Sequence, residues 1–492
     1  MTSKTHRFYI ILFSFIAFII GYSAIGQEVS RQLNLQACIS IALENNLTVK
    51  KSILNTERSK VSVLESQANR LPSLNFGANF GNNWGRSIDP TTNSFIAQQI
   101  KTSGVSGNSS LNLFAGGQIH FTIKQSQLNL YAAQYDLAST KDNIAMNIAN
   151  SYLNVIFNQE LLENALLQQT STQQQLSRTQ RLVAVGSLPR TSELALISQL
   201  AGNQVTVINA ENNLALAVLN LKQAMLIPAS EEIEIVIPDI DVNQLITKNG
   251  TIQEIYDLAV GERPEIKSAY MRVESANMGL KISKGAYYPS LQLNANLFTN
   301  YSDFADHERI LYDNTIPVIQ EVPIGFYIDD SMLEVPVYSR VTSGAIIGTE
   351  SFNRSKQWKE NFSQALSFNL SIPIFNNLRT SSNIQRAKIE MQQSEIQVKE
   401  QKNQLRQAIE LAFNDTQSSQ KSFLASKKQV EALEETLRII ESQYNLGAAN
   451  YTEYQIASNN LFAAKSDLAR SKFNYIFKQK ILDFYQNRPL TF

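Results

Sequence analysis

Two stretches of the sequence contain neither glycine nor proline, the residues that interrupt helices most strongly. They run from Gln118 to Val185 and from Ile374 to Leu446. A helix of about 70 residues is roughly 100 Å long at 1.5 Å per residue. Leu, Ile and Val recur here at three- and four-residue steps among Gln, Asn, Ala and Ser. Such a thin apolar stripe packs along neighbouring helices but forms no globular core, so the pattern predicts long helices lying side by side.

The chain is built from two copies of one unit. A shift of 217 positions aligns Pro72 of LPSL with Pro289 of YPSL, and further on a shift of 261 aligns Gly186 with Gly447. The difference of 44 residues is an insertion in the second copy. The predicted segments are a signal peptide at 1–26, a first repeat at 27–227, an equatorial linker at 228–252, and a second repeat at 253–492 with a long loop at about 300–362.

The first residues have the features of an export signal. Lys4 and Arg7 precede an apolar run from Phe8 to Ile20, and a small-x-small sequence follows at 24–26. The run has about 13 residues, fewer than the roughly 20 that cross a bilayer as a helix. Removal of the signal takes away two of the 43 basic residues and leaves 41, against 43 acidic residues. The mature chain therefore has no basic excess to attract phosphate groups, and we expect no nucleic-acid partner.

Both long stretches end in the same way. Gly186 and Gly447 are typical of helix C-termini, and Thr191 and Thr452 follow with acidic residues close behind. This pattern predicts a turn and a new helix. The shorter helices are expected at about 190–226 and 451–486 after the turns, and at about 36–70 and 253–287 at the start of each repeat.

Four short segments alternate apolar and polar residues with a period of two. A transmembrane β-barrel has this pattern in segments of about ten residues, and the edge of a soluble sandwich alternates in the same way. Four strands do not close a barrel, and an open sheet edge is not tolerated in lipid, so a barrel would have to be shared by several copies. The apolar positions are Leu74, Phe76, Ala78 and Phe80; Leu111 and Leu113; Leu291, Leu293, Ala295 and Leu297; and Leu366, Phe368, Leu370 and Ile372.

Together these features resemble the outer membrane efflux protein family, the TolC-like channels. The likeness covers nearly the whole mature chain: the opening LNLQACISIALENN, the LPSL and YPSL strand entries, and the turns RLVAVGSLPRTSEL and SQYNLGAANYTEYQIA. It implies a mainly α fold with a transmembrane β-barrel portion. A homotrimer would share a long α-helical barrel and a 12-stranded β-barrel, with four strands and two internal repeats in each chain.

The resemblance also implies a function. Such a protein lies in the cell outer membrane, in contact with its lipid, and extends into the periplasm. It is the passive conduit of a tripartite efflux or type I secretion system and is gated at its periplasmic tip. The long loop at about 300–362 joins two strands at the end opposite the tip, so we expect it to be extracellular. A periplasmic adaptor protein and an inner-membrane pump of the RND or ABC type would be its partners. The turns containing Gly186, Thr191, Gly447 and Thr452 would dock the adaptor.

The gate residues of the family carry over only in part. Glu453 matches an acidic ring that narrows the closed pore; the alternative is a solvated acid at a helix N-terminus. Tyr444 matches an aromatic residue that latches the closed state; the alternative is helix packing. The second tip acid of the family is replaced by Ile456 and its latch arginine by Ala449. The acidic partner of that arginine is replaced by Ser192.

Enzyme signatures are not found. His6, His120 and His307 are scattered, and there is no phosphate-binding glycine loop or nucleophile elbow. We therefore expect no catalytic residue, no metal site and no cofactor. The acidic pair Asp329-Asp330 is interpreted as part of an exposed loop rather than a calcium site. Cys38 aligns with Ile255, which favours a buried thiol over a lipidated one.

Two alternatives stay open. An exported coiled-coil scaffold or adhesin without a pore would account for the helices and the signal but not for the alternating segments. Within the channel class, drug, metal-ion and protein transport share one kind of outer component. A metal channel is expected to carry a His- or Met-rich tract, and the lack of one favours organic cargo slightly.

Overall fold

The computed structural model describes residues 31–96, 99–238, 250–328 and 333–488. The predicted signal peptide, the Asp329-Asp330 pair and residues 239–249 of the predicted linker lie outside these ranges. Among the residues described, no helix combines the length and the apolar character needed to cross a membrane.

Nine helices lie in the described part of the chain. They are α1 (Leu35–Asn45), α2 (Leu47–Ala68), α3 (Gln118–Ala184), α4 (Arg190–Met225), α5 (Ile252–Glu262), α6 (Pro264–Gly285), α7 (Arg354–Glu360), α8 (Arg379–Asn445) and α9 (Tyr451–Tyr485).

The same ranges contain ten strands. They are β1 (Arg31–Leu33), β2 (Ser73–Asn83), β3 (Ser87–Ile88), β4 (Phe95–Ile96), β5 (Ile100–Ala115), β6 (Ile233–Ile235), β7 (Ser290–Ser302), β8 (Glu308–Ile328), β9 (Glu334–Ser351) and β10 (Ser363–Ser371).

The two predicted long helices are confirmed. α3 and α8 each have 67 residues and end within two residues of the glycines at 186 and 447. α8 begins later than its glycine- and proline-free stretch, because Asn377 and Leu378 have φ values of 53° and 61°. This left-handed backbone does not continue a right-handed helix.

Each repeat opens with two short helices rather than the single half-length helix that we predicted. In the first copy the break is at Asn46, whose extended backbone (ψ 122°) ends α1 and whose side chain accepts hydrogen bonds from the backbone N–H groups of Thr48 and Val49. In the second copy the break is at Arg263 (ψ 127°), because the next residue, Pro264, disfavours helical backbone before it. Pro264 itself is the first residue of α6, a position that suits proline.

The chain forms two compact units. Of the described residues, the first contains those in 31–61, 127–276 and 390–488, and the second contains those in 62–126 and 277–389. In the first unit, α1 and α5 are each buried in a core of their own, and Cys38 and Ala42 occupy the positions equivalent to Ile255 and Ala259. Cys38 is fully buried, which confirms that it is a core position.

The second unit contains a four-stranded antiparallel sheet in the order β10-β7-β5-β2. The four predicted alternating segments lie in it except for Ile372, which follows the end of β10. β10 and β2 are its edge strands, so neither has a partner on its outer side among the described strands.

The insertion is mostly a β-hairpin, although we predicted a loop. β8 and β9 pair antiparallel from Glu308↔Ser351 to Ile328↔Glu334, and α7 follows before the chain enters β10. The insertion contains Pro317, Pro323 and Pro336, and they are accommodated because both strands of a two-stranded ribbon are edge strands. Pro317 and Pro323 lie at register shifts in the pairing.

Candidate functional site

The first candidate site is the pair of turns that join α3 to α4 and α8 to α9. Both turns lie in the first unit. The backbone N–H groups of Gly186 and Ser187 donate to the carbonyls of Val183 and Leu182 at 3.0 and 2.8 Å. In the second turn the N–H groups of Gly447 and Ala448 donate to Tyr444 and Gln443 at 3.1 and 2.8 Å. Both sets are the paired bonds of a Schellman motif, so the two turns have one geometry.

The glycines are required by this geometry. Gly186 has φ 73° and Gly447 has φ 75°, a left-handed conformation that favours glycine over residues with a Cβ atom. An exposed apolar residue precedes each glycine: Val185 is 73% exposed and Leu446 is 83% exposed. Thr191 and Thr452 are also exposed, in the first turn of the following helix.

Glu453 takes part in the cap of α9. The N–H of Glu453 donates to the side chain of Asn450 at 2.9 Å, and the Glu453 carboxylate accepts from the backbone N–H of Asn450 at 3.3 Å. This reciprocal pair is a capping box. The equivalent start of α4 lacks one, because its N-cap is Pro189, which makes no side-chain cap bond. The carboxylate of Glu453 is nevertheless exposed to solvent.

Tyr444 packs within its own helical hairpin. Its ring is stacked on Tyr454 of α9, with centroids 5.5 Å apart, and is tilted against Tyr451 at 6.4 Å. Burial, followed by the nearby Tyr444 and Tyr454, raises the pKa of Tyr451 to about 12. Burial also raises the pKa of Tyr454, and this effect exceeds the lowering by the nearby Ser171 of α3. The three rings hold the end of α8 against the start of α9.

Polar side chains connect the hairpin α3–α4 to the hairpin α8–α9. Near the turns, the guanidinium of Arg178 donates to the side-chain oxygen of Asn445. Further along, Gln455 donates to Gln199 at 2.7 Å, and Gln168 donates to Asn459 at 3.3 Å. Sequence reasoning missed Arg178 because its partner is 267 positions away, and no local pattern marks such a contact.

The second candidate site is the four-stranded sheet of the second unit. Directly paired residues in a sheet project from the same face. Leu74, Ser109, Ala295 and Leu366 form one such row across the sheet, and their neighbours Asn75, Asn108, Asn296 and Ala365 form the next. The predicted alternation is therefore confirmed, with one largely apolar face and one face rich in asparagine and serine.

No described part of the chain covers the apolar face of this sheet. Leu74 is 82% exposed, Phe76 is 77% exposed and Phe368 is 65% exposed. A large continuous apolar surface on a folded chain marks a site of contact with a membrane or another protein. The polar face carries small and amide side chains, which are compatible with water.

Known proteins share both the sequence pattern and the fold. The profile of the family described as "Outer membrane efflux protein" matches residues 38–225 and 337–479, more than half of the chain. The cation efflux system protein CusC of Escherichia coli K12 is 23% identical over 448 residues, which cover 88% of this chain and 82% of that protein. The outer membrane protein TolC of the same strain is 21% identical over 467 residues, covering 94% and 84%.

A solved structure shares the fold of the chain. The outer membrane protein VceC from Vibrio cholerae matches with a TM-score of 0.69 at 14% identity, over 93% of this chain and 97% of that one. The relatives are named as efflux and outer membrane proteins and not as enzymes. A coiled-coil scaffold without a pore is therefore not favoured.

Proposed function

Because the chain belongs to the outer membrane efflux protein family, we propose that it is the outer-membrane channel of a tripartite efflux system and catalyses no reaction itself. The apolar face of the four-stranded sheet carries this proposal, since a channel wall needs one face for lipid and one for water. The protein lies in the cell outer membrane and is the passive conduit from the periplasm to the exterior. The same architecture would serve type I secretion.

Three copies complete the barrel. The edge strands β2 and β10 have unpaired outer sides among the described strands, and lipid does not tolerate unpaired backbone groups. Pairing β10 of one copy with β2 of the next satisfies both edges and produces a closed sheet of twelve strands. The helices of the three copies would form the α-helical barrel in the periplasm.

The two helical turns form the periplasmic tip. There an adaptor protein of an inner-membrane pump, of the RND or ABC type, would dock on the turns around Gly186, Thr191, Gly447 and Thr452. The exposed Val185 and Leu446 support this placement, because each turn offers an apolar contact on a rigid backbone motif. Contacts at equivalent positions would let one adaptor surface recognise both turns.

The gate lies at the same turns. Glu453 contributes a carboxylate to the narrow ring, and its capping box holds that carboxylate at a defined position. Tyr444 stabilises the closed position by packing its own hairpin, while the Arg178–Asn445 hydrogen bond connects this hairpin to its neighbour. Opening requires the two hairpins to separate, so the contacts between them must break when cargo passes.

Planar-bilayer recording of the detergent-extracted trimer tests the proposal. Glu453→Gln removes the charge while glutamine still accepts the capping-box hydrogen bond. Glu254→Gln is the matched control, because Glu254 occupies the same position in the capping box that starts α5. We expect a small cation-preferring conductance that loses its cation preference in Glu453→Gln and keeps it in Glu254→Gln.

The other outcomes separate the parts of the proposal. If both variants behave like the wild type, Glu453 acts only in the helix cap and the channel assignment stands. If a folded trimer forms no pore, the channel proposal is wrong and a scaffold function is supported.

A further inference from the structure

The far half of the β8–β9 hairpin has the composition of an interface. We call residues 322–328 and 333–338 the distal hairpin. Nine of these thirteen residues are Val, Ile, Leu, Phe or Tyr, against 43% hydrophobic residues in the whole chain, and only Glu334 is charged. Ile324 and Phe326 are each 67% exposed, and Ile328 is 70% exposed. Exposed apolar clusters of this kind mark interaction surfaces.

The root of the hairpin, by which we mean the residues around Arg309 and Phe352 where it leaves and rejoins the second unit, is held by several contacts. Gln357 of α7 is fully buried; its side chain accepts from the N–H of Ser302 at 2.9 Å and donates to the carbonyls of Ser302 and Phe352, each at 3.0 Å. Arg309 lies over the Phe352 ring at 3.7 Å and forms an ion pair with Glu360 at 2.5 Å. An anchored root with an uncovered far end is suited to presenting a surface to a partner.

The hairpin itself is incomplete as a folded element. β8 and β9 form a two-stranded sheet with no third strand among the described residues, and an isolated two-stranded hairpin is at best marginally stable in water. Its outer backbone groups and both of its faces are open to contact. β8 also lies outside the segments matched by the family profile, 38–225 and 337–479.

A second copy of this chain fits the distal hairpin best. The hairpin leaves the sheet after β7 and returns to β10, the edge strand at which neighbouring copies meet in the proposed trimer. The interface between copies therefore continues directly into the hairpin root. The two segments of the distal hairpin carry one charge among thirteen residues, and Asp329 and Asp330 lie between these segments in the sequence. The two segments therefore call for an apolar partner, and each neighbouring copy supplies an identical pair.

Resting on the proposed trimer, we propose that the distal hairpins of the three copies pack against one another. The contact forms a shared apolar cluster outside the barrel wall. Closed three-fold symmetry gives every copy the same contact, so no copy is left with an exposed distal hairpin.

Disulfide cross-linking in intact outer membranes tests this contact. In a Cys38→Ala background, Ile324→Cys or Tyr338→Cys is introduced in the distal hairpin, with Thr349→Cys near the root as the control. We expect mild oxidation to produce a disulfide-linked dimer for the distal positions and none for position 349. If one distal substitution prevents folding, the variant at the other distal position still tests the contact.

Maleimide labelling distinguishes the remaining outcomes. Distal thiols that label as readily as the thiol of the Thr349→Cys control would overturn the proposal, and so would thiols that are protected in membranes without forming a disulfide. The second result would indicate a different partner. The oligomeric state of the detergent-extracted protein and its conductance are measured on the same samples. A conducting trimer without cross-links refutes only the hairpin contact. A monomer refutes the channel proposal.

A charge substitution provides a second measurement. Phe326→Glu places a carboxylate in the proposed cluster, and Thr349→Glu adds the same charge near the root. We expect the first variant alone to lower the temperature at which the trimer dissociates. Equal dissociation temperatures for the two variants would contradict the contact.

Discussion

Arg178 of α3 donates a hydrogen bond to the side-chain oxygen of Asn445, the last residue of α8. The bond joins the ends of the two long helices beside the turns at Gly186 and Gly447. Both residues are exposed to solvent, so a single bond of this kind is weak on its own. It acts together with the amide pairs further along the helices.

Arg178→Ala is expected to favour the open channel. The substitution removes the bond to Asn445 and leaves the Tyr444 packing intact, so the two hairpins separate more readily. We expect a conductance several-fold above the wild type in planar bilayers. Arg181→Ala is the matched control, because Arg181 lies one turn away on α3 and its Nε donates to a carbonyl of its own helix. Equal conductances for the two variants would contradict the role of Arg178.

Alkaline pH is expected to loosen the aromatic cluster at the second turn. Tyrosine in an unfolded chain ionises near pH 10, whereas the pKa of Tyr451 is raised to about 12 in the folded protein. A raised pKa means that the folded state favours the neutral phenol. The contribution to stability is complete below about pH 10 and is lost as the pH rises towards 12.

Phenolate absorbance measures this directly. Phenolate absorbance is recorded against pH for the wild type and for Tyr451→Phe. The difference between the two curves reports the ionisation of Tyr451, and its midpoint is expected near pH 12. A midpoint near 10 would show that Tyr451 is not shielded from water in the folded channel.

Gln357→Ala is expected to release the root of the hairpin. The variant removes the Gln357 side chain from the N–H and carbonyl groups of Ser302 and from the carbonyl group of Phe352. These three groups then lose a hydrogen-bond partner at a buried site. Each such group costs about 1–3 kcal/mol, so we expect faster protease cleavage within 303–353. Gln320→Ala is the control, since Gln320 is exposed on β8. Similar cleavage rates for both variants would rule out the anchoring role.

Cys38 is expected to be unreactive in the folded protein. Burial raises the pKa of its thiol to about 11, and the thiolate is the reactive form. We expect no maleimide labelling at neutral pH until the protein is denatured, whereas a Thr349→Cys variant labels at once. Labelling of native Cys38 would indicate that the core around α1 opens.

Sequence patterns predicted the parts of the fold that local chemistry decides. Long helices were predicted because nothing between Gln118 and Val185 interrupts one, and the turns because Gly186 and Gly447 accept a left-handed backbone. The four sheet strands followed from alternation, since each apolar residue points to one face.

The hairpin β8–β9 was missed for an equally physical reason. Pro317, Pro323 and Pro336 argue against a strand inside a sheet, and nothing local to the sequence reveals that the strand has only one neighbour. The contact between Arg178 and Asn445 was missed because it depends on the packing of two separate hairpins. The charge of Glu453 was noticed, but its capping partner Asn450 was not.

The break between the two opening helices of each repeat has a consequence for which sequences this fold accepts. Asn46 produces it with a side chain that captures two backbone N–H groups, and Arg263 produces it because a proline follows. The backbone is extended at both positions, although a side-chain hydrogen bond causes it in one repeat and a following proline in the other. The fold therefore requires the bend itself rather than a particular residue. Leu47 occupies the position equivalent to Pro264, and proline there would preserve the bend by the other route.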